Sequence, residues 1–386
     1  MVNAIILAGG YGTRLRPITC SIPKPMLPVV NKPLLNFIIS KLVEDMPRIN
    51  KVIIAVNYRA HDIEAYFKDA AKGWSCEIHV VDEKKPMGTG GALKFSQKLL
   101  EDDSSFMLNG DVITYFSYKD MHAQHVRTGA ITTINAIRVP DVSRYGVLVS
   151  EPGGTRITEF FEKPRTTELI TRYSPYPVNA GTYLLEPAIF DYIPADKKVS
   201  IEKDVFPNVV KDGKAHKFDF SGIWKDFGLP DEYLAGNFII LDEETRKRGT
   251  KNLIAPTASI DPTAKIVPPV CLDDGVQIRK HCPVGPRVIL GKNCEVGDGT
   301  TITSSVLFEE CYIDEKNEIS QAILGDGVKT GTNVHLEGPA VLGSHVYIED
   351  QVTLRASRAQ TIKVCPWVTL STEAVEHASS NGAFVH

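Results

Sequence analysis

From Ile254 onward an apolar residue returns at every sixth position. Ile260, Ile266, Leu272, Ile278, Val284, Leu290, Val296, Ile302 and Phe308 complete a run of ten. After small shifts of phase the beat resumes at Ile313 and Ile319, then at Leu336, Leu342, Ile348 and Leu354. Gly often follows the apolar position, as in Val284-Gly285, Leu290-Gly291, Leu324-Gly325 and Leu342-Gly343. A period of six is neither the 3.6 of a helix nor the 2 of a simple strand. It describes a solenoid whose short strands turn a corner every sixth residue and stack their apolar side chains inside.

This pattern resembles the hexapeptide repeat of left-handed parallel β-helices, and we place that coil at residues 254–370. Residues 1–240 follow another grammar, in which short β-rich runs (4–7, 52–56, 77–81, 106–108 and 130–137) alternate with amphipathic stretches. Between 33 and 46, Leu34, Leu35, Ile38, Ile39, Leu42 and Val43 form one apolar stripe at helical spacing. The expectation is an α/β domain built on a mostly parallel sheet with helices on both faces, its ligands beyond the carboxyl ends of the strands. The charged segment 241–253 reads as the end of a helix and a linker, and 371–386 as a tail rich in small residues.

Composition narrows the function. With 43 basic and 47 acidic residues the net charge is −4, which points away from nucleic-acid and membrane-surface partners. Seven cysteines, an odd number without a C-x-x-C pair, suggest reduced thiols rather than a disulfide scaffold or zinc site. The apolar start, 4–8, is too short for a signal sequence, and no run reaches the ~18 apolar residues of a membrane span. These features lead us to expect a cytoplasmic protein.

The first strand runs into Leu7-Ala8-Gly9-Gly10-Tyr11-Gly12-Thr13-Arg14-Leu15, then into a loop stiffened by proline, Pro23-Lys24-Pro25-Met26-Leu27-Pro28. Three glycines allow successive backbone N–H groups to turn inward as an anion nest, and Arg14 and Lys24 add fixed positive charge. That combination suits a triphosphate. Leu15 stands where a dinucleotide fingerprint needs its third Gly, and the G-x-x-x-x-G-K-[S/T] loop is missing. Farther on, Asp111 ends Leu108-Asn109-Gly110-Asp111, and Asp226 stands in Trp224-Lys225-Asp226-Phe227-Gly228. Taken alone, each Asp reads as a turn residue ahead of a ligand for a hard cation.

The segment resembles the G-G-x-G-T-R-L-x-P-x-T…P-K-P signature of the sugar-1-phosphate nucleotidyltransferases, the NDP-sugar pyrophosphorylases. Within that family, the solenoid and the runs Ser143-Arg144-Tyr145-Gly146-Val147-Leu148, Val178-Asn179-Ala180-Gly181-Thr182-Tyr183 and Ser200-Ile201-Glu202-Lys203-Asp204-Val205-Phe206 are most similar to mannose-1-phosphate guanylyltransferases. The resemblance covers nearly the whole chain. It implies a Rossmann-like (GT-A-like) catalytic domain that transfers a nucleotidyl group from an NTP to a sugar 1-phosphate and releases pyrophosphate, with Mg²⁺ held by Asp111 and Asp226. It also implies nucleotide contacts at Leu7, Ala8, Gly9, Gly10, Gly12, Thr13 and Gly88. Phe160-Phe161-Glu162-Lys163-Pro164 matches the family's E-K-P sugar motif, which gives Glu162 the sugar hydroxyls and Lys163 the sugar phosphate. Gly146 and Asn179 match further hexose contacts.

Base choice follows from chemistry. Glu83 stands before the Pro86-Met87-Gly88-Thr89-Gly90-Gly91 loop, where thymidylyl and uridylyl relatives commonly carry Gln. An ionised carboxylate offers only acceptors, which match guanine N1–H and N2–H₂ and not a pyrimidine edge. GTP is the expected donor; the alternatives are a glucose-1-phosphate thymidylyl- or uridylyltransferase and a non-catalytic sensor of nucleotide sugars. A third, acyltransferase reading would need a catalytic histidine among His281, His335 and His345. For the solenoid the expected role is homo-oligomer assembly.

Overall fold

The computed structural model describes residues 2–373 except 47, 71–72, 101–102, 165, 167–170, 173–175, 196 and 357–359. Residues 374–386, most of the expected tail, lie outside the described residues. The chain forms two compact units. One comprises Met1–Gly10 and Leu35–Lys225; the other comprises Tyr11–Leu34 and Asp226–His386.

The first unit is built on a nine-stranded sheet. Val2–Leu7 lies parallel between Ile49–Val56 and Ser105–Asn109, and Glu77–Asp82 extends the parallel edge beside Ile49–Val56. Ala4, Ile5, Ile6, Val52, Ile53 and Ile54 are all fully buried, as strands covered on both faces require. Beyond Ser105–Asn109 the direction reverses. Val178–Leu185 runs antiparallel to it, to Thr132–Ile137 and to Gly146–Ser150, which in turn pairs antiparallel with Ile157–Glu162. Ala215–Asp219 returns to parallel pairing against Thr132–Ile137.

The sheet is therefore mixed rather than mostly parallel. An apolar run carries no sign of its partner's direction, so composition could not reveal the reversal. Val178–Leu185 also carries an irregularity between Asn179 and Tyr183, with Gly181 left-handed at φ 79°. Bulges of this kind turn a side chain out of the ladder.

In the second unit the six-residue beat becomes three columns of side chains. One runs Ile254, Leu272, Leu290, Leu307, Leu324, Leu342 and Val364. A second runs Ile260, Ile278, Val296, Ile313, Thr330, Ile348 and Leu370. The third is Ile266, Val284, Ile302, Ile319, Leu336 and Leu354. All pairings are parallel, the register of a parallel β-helix.

The phase shifts have a physical origin. Leu272 pairs with Leu290, eighteen residues on, but Leu290 pairs with Leu307, seventeen on. One side of that coil is a residue short. The count in sixes therefore lands one position late, and Leu307 rather than Phe308 occupies the column. Phe308 is also buried, but its ring lies 6.3 Å from that of Tyr233.

The helix Pro230–Arg248 precedes the coil and runs through the segment expected to link the halves. Pro sits in its first turn, Asp231 and Glu232 follow, and Arg246, Lys247 and Arg248 occupy its last turn before left-handed Gly249. These are the residues that complement a helix dipole and close a helix end.

Candidate active site

In the first unit the candidate residues collect beyond the carboxyl ends of the parallel strands. Leu7 is in register with Ala55 and Asn109, Val56 with Asp82, and Ala8 N–H donates to the Ala55 carbonyl at 2.8 Å. Gly9, Asn57, Glu83 and Asp111 thus begin the turns leaving neighbouring strands. Two glycines are required by close approach. A Cβ at Gly9 would stand 2.7 Å from Asn57 Nδ2, and one at Gly110 would stand 2.7 Å from the Leu7 carbonyl oxygen. Asn57 Oδ1 is buried without a hydrogen-bond partner among the described residues, an acceptor left over beside the glycine turn. Sequence reading missed Asn57, because nothing in its neighbours marks it.

Glu83 is buried, and its backbone N–H donates to the Val56 carbonyl at 2.8 Å. Burial pushes its carboxyl up to about 7, with Asp82 adding to the rise and a hydrogen bond from the Met87 backbone opposing it. The ionised form that would match guanine is thus opposed by desolvation. Gly88 opens the helix Gly88–Phe95 at φ 76°, where a Cβ would meet the Val199 carbonyl at 2.5 Å.

The sugar-motif residues come together on three adjacent strands. Gly146 is in register with Glu162, and a Cβ on Gly146 would lie 2.7 Å from Glu162 Oε2. Lys163 Nζ lies 3.3 Å from Glu162 Oε1, and Lys163 is left-handed at φ 53° with its N–H donated to the Tyr145 carbonyl. Burial raises the Glu162 carboxyl; Lys163 opposes the rise and Glu202 adds to it. On the next strand, Asn179 Oδ1 accepts from Gly181 N–H at 2.9 Å while Nδ2 donates to the Tyr183 hydroxyl at 2.8 Å.

Behind these residues is a polar network the sequence did not disclose. Fully buried Tyr183 donates to Glu202 Oε1 at 3.4 Å, and Glu202 Oε2 accepts from Thr89 and Ser200, each at 2.8 Å. Thr89 Oγ1 in turn accepts from Ile201 N–H. The run Ser200–Phe206 carried a resemblance but no role; its Glu202 supports Asn179 through Tyr183. Trp224 Nε1 donates to the Ala180 carbonyl at 3.0 Å, and its ring meets that of Tyr145 edge-on.

The second unit holds Arg14, Lys24 and Asp226. Gly12 is left-handed at φ 62° and starts the short turn Thr13–Leu15. A Cβ there would lie 3.1 Å from Lys24 Cβ, so the turn and the buried Lys24 are packed together. A Cβ at Gly228 would lie 3.2 Å from Arg14 Nη2 and 3.1 Å from Asp226 Oδ1, so a guanidinium and a carboxylate flank one glycine. Among the described residues no group of three or more His, Cys, Asp or Glu side chains forms a metal cluster. Asp111 belongs to the first unit and Asp226 to the second, and carboxylate oxygens are the donor type that Mg²⁺ takes beside water and phosphate oxygens. His281 and His345 are exposed, the latter stacked on Trp367 at 4.0 Å, and His335 lies 3.2 Å from Glu318.

The first unit is thus an α/β sheet with a glycine turn beyond its parallel strands, and the second carries a parallel β-helix. Residues 3–243 match the nucleotidyl transferase family model, and residues 266–379 match the GMPPB C-terminal domain. The chain belongs to the nucleotidyl transferase family. It is 34% identical over 354 residues, 91% of this chain and 93% of the other, to a probable mannose-1-phosphate guanylyltransferase 2 of Oryza sativa subsp. japonica. It is equally 34% identical, with the same coverage, to a mannose-1-phosphate guanyltransferase of Gibberella zeae. Among solved structures, HddC from Yersinia pseudotuberculosis, crystallised in complex with GMP-PN, aligns with a TM-score of 0.51 at 29% identity. That alignment covers 62% of this chain and all of HddC. A putative glucose-1-phosphate thymidylyltransferase from Bacillus anthracis aligns with a TM-score of 0.54 at 26% identity, covering 62% of this chain and 95% of its own.

No helix of the described residues is long and apolar enough to cross a membrane.

Proposed function

We propose that this nucleotidyltransferase makes GDP-mannose, by transfer of the guanylyl group of GTP to mannose 1-phosphate. An oxygen of the sugar phosphate bonds to the α-phosphorus as the bond to the β-phosphate oxygen breaks, and pyrophosphate leaves with that electron pair. The observation that carries the reading is the likeness to mannose-1-phosphate guanylyltransferases over 91% of the chain. The buried Glu83 supports guanine, since its ionised form would accept from N1–H and N2–H₂.

In this reading the backbone of Gly9, Gly10 and Gly12, with Arg14, holds the β- and γ-phosphates, and Leu7, Ala8, Thr13 and Gly88 complete the nucleotide site. Lys24 neutralises the α-phosphate and Lys163 the incoming sugar phosphate. Glu162, Asn179 and Gly146 orient the hexose. Asp111 and Asp226 would hold Mg²⁺, which when bound supplies charge neutralisation at the α-phosphate and the leaving oxygens. The nucleophile is already an anion, so the side chains' task is alignment and electrostatic screening of two polyanions.

We assign catalysis to 1–240 and assembly of a homo-oligomer to the coil 254–370, joined through 241–253. The seven free cysteines suit a reducing cytoplasm. The test is pyrophosphate release from GTP, UTP, dTTP and ATP crossed with mannose, glucose and N-acetylglucosamine 1-phosphates in Mg²⁺. GTP with mannose 1-phosphate is expected to exceed every other pair; a preference for a pyrimidine nucleotide or for glucose 1-phosphate would overturn the reading.

A further inference from the structure

The segment Tyr11–Leu34 follows a strand of the α/β sheet, yet it packs as part of the same unit as the solenoid. It carries Arg14 and Lys24 and ends in a hairpin, Pro28–Val29 against Lys32–Pro33. Both residues of the hairpin loop are left-handed, Val30 at φ 45° and Asn31 at φ 61°. Asn accepts that conformation readily, whereas β-branched Val resists it and stays only where its surroundings hold it.

Those surroundings come from the carboxyl-terminal part of the chain. Val30 N–H donates to Asn237 Oδ1 at 2.9 Å, and fully buried Asn237 is fixed by donating from Nδ2 to the Tyr233 carbonyl. The Tyr233 hydroxyl donates to the Pro28 carbonyl, and its ring packs near Phe308 of the coil. Asn31 Nδ2 reaches the coil itself and donates to the Leu290 carbonyl at 2.7 Å. From the hairpin, hydrogen bonds lead back toward the cations. Leu34 N–H donates to the Leu27 carbonyl, and Leu27 N–H donates to the Lys24 carbonyl.

We infer that the β-helix serves the nucleotide site directly, with Asn31 and Asn237 as positioning residues that hold the Arg14–Lys24 segment in its binding conformation. The inference deepens the reading above and rests on its assignment of Arg14 and Lys24 to the triphosphate. It gives the coil a role in each single chain, apart from assembly.

The test uses full-length Asn31→Gly; glycine accepts the left-handed backbone and lacks the amide that reaches the Leu290 carbonyl and, at 3.5 Å, Cys271 Sγ in the coil. Losing one such bond predicts a KM for the NTP raised about fivefold to tenfold. The KM for the sugar phosphate and the melting temperature should stay at wild-type values. Amide hydrogen exchange in peptides from 11–34 should quicken by a similar factor, while peptides from the coil keep their protection. Unchanged exchange in 11–34 overturns the inference, as does an equal rise in both KM values together with a lower melting temperature. The exchange arm decides the inference even if wild-type protein proves to use another NTP or sugar phosphate.

Discussion

Asn317 in the solenoid and the carboxyls of the candidate site in the α/β unit are buried in opposite ways. In the solenoid, Asn317 is fully buried and every polar atom is engaged. Its Nδ2 lies within bonding distance of the Asp314 carbonyl, Thr330 Oγ1 and the Gly331 carbonyl, Oδ1 accepts from Val334 N–H, and its own N–H donates to Thr300 Oγ1. In the α/β unit, Glu83 and Glu162 are desolvated carboxyls held above their usual range, and Asn57 keeps an unused buried acceptor. A buried group whose bonds are all made inside the protein stabilises the fold; one whose charged form is held at a cost is poised for something from outside.

The sharpest way to break this contrast is Asp111→Asn. We expect pyrophosphate release to fall on the order of 10²–10³ in saturating Mg²⁺ with thermal stability unchanged. Near wild-type turnover would remove Asp111 from the site. The converse experiment is Asn317→Ala, which leaves Val334 N–H without its acceptor inside the coil. It should cost about 2–3 kcal/mol in denaturant unfolding while the turnover of folded protein stays the same.

Glu83→Gln probes the base. Exchanging a charge-assisted acceptor pair for an amide should lower the GTP-to-UTP preference by about 10- to 100-fold, since hydrogen bonds to charged groups contribute roughly 1.5–3 kcal/mol. An unaltered preference places base reading elsewhere. The smallest effect is the pH dependence of GTP binding. Because burial raises Glu83 to about 7, its protonated form is favoured in the free protein. That contribution to stability is complete below the usual value of 4.5 and is lost as pH rises through 7. Guanine needs the ionised form, so affinity measured by titration calorimetry should rise by up to about tenfold per pH unit below 7 and level off above it. Glu83→Gln should flatten this limb.

Much of the coil was legible in advance because each turn repeats the packing of the last. Ile313, Ile319, Leu336, Leu342, Ile348 and Leu354 all stand in the columns. The count failed at Phe308, where a shortened side moves the column to Leu307 and no local residue marks the deletion. Gly146, Glu162, Lys163 and Asn179 could be named as a set from short motifs. The network behind them could not, because Thr89, Tyr183 and Glu202 lie far apart in sequence and meet only through the strand pairing and the close approach of Gly90 N–H to the Val199 carbonyl.

Residue order alone determined the grammar of the two halves and the glycine turn with its cations, since periodicity and side-chain chemistry are local properties. Tertiary structure decided the rest: which strands run antiparallel, how far Glu83 rises, and that Tyr11–Leu34 packs with the coil. Strand direction, desolvation and hydrogen-bond partners depend on neighbours distant along the chain, and no window of sequence contains them.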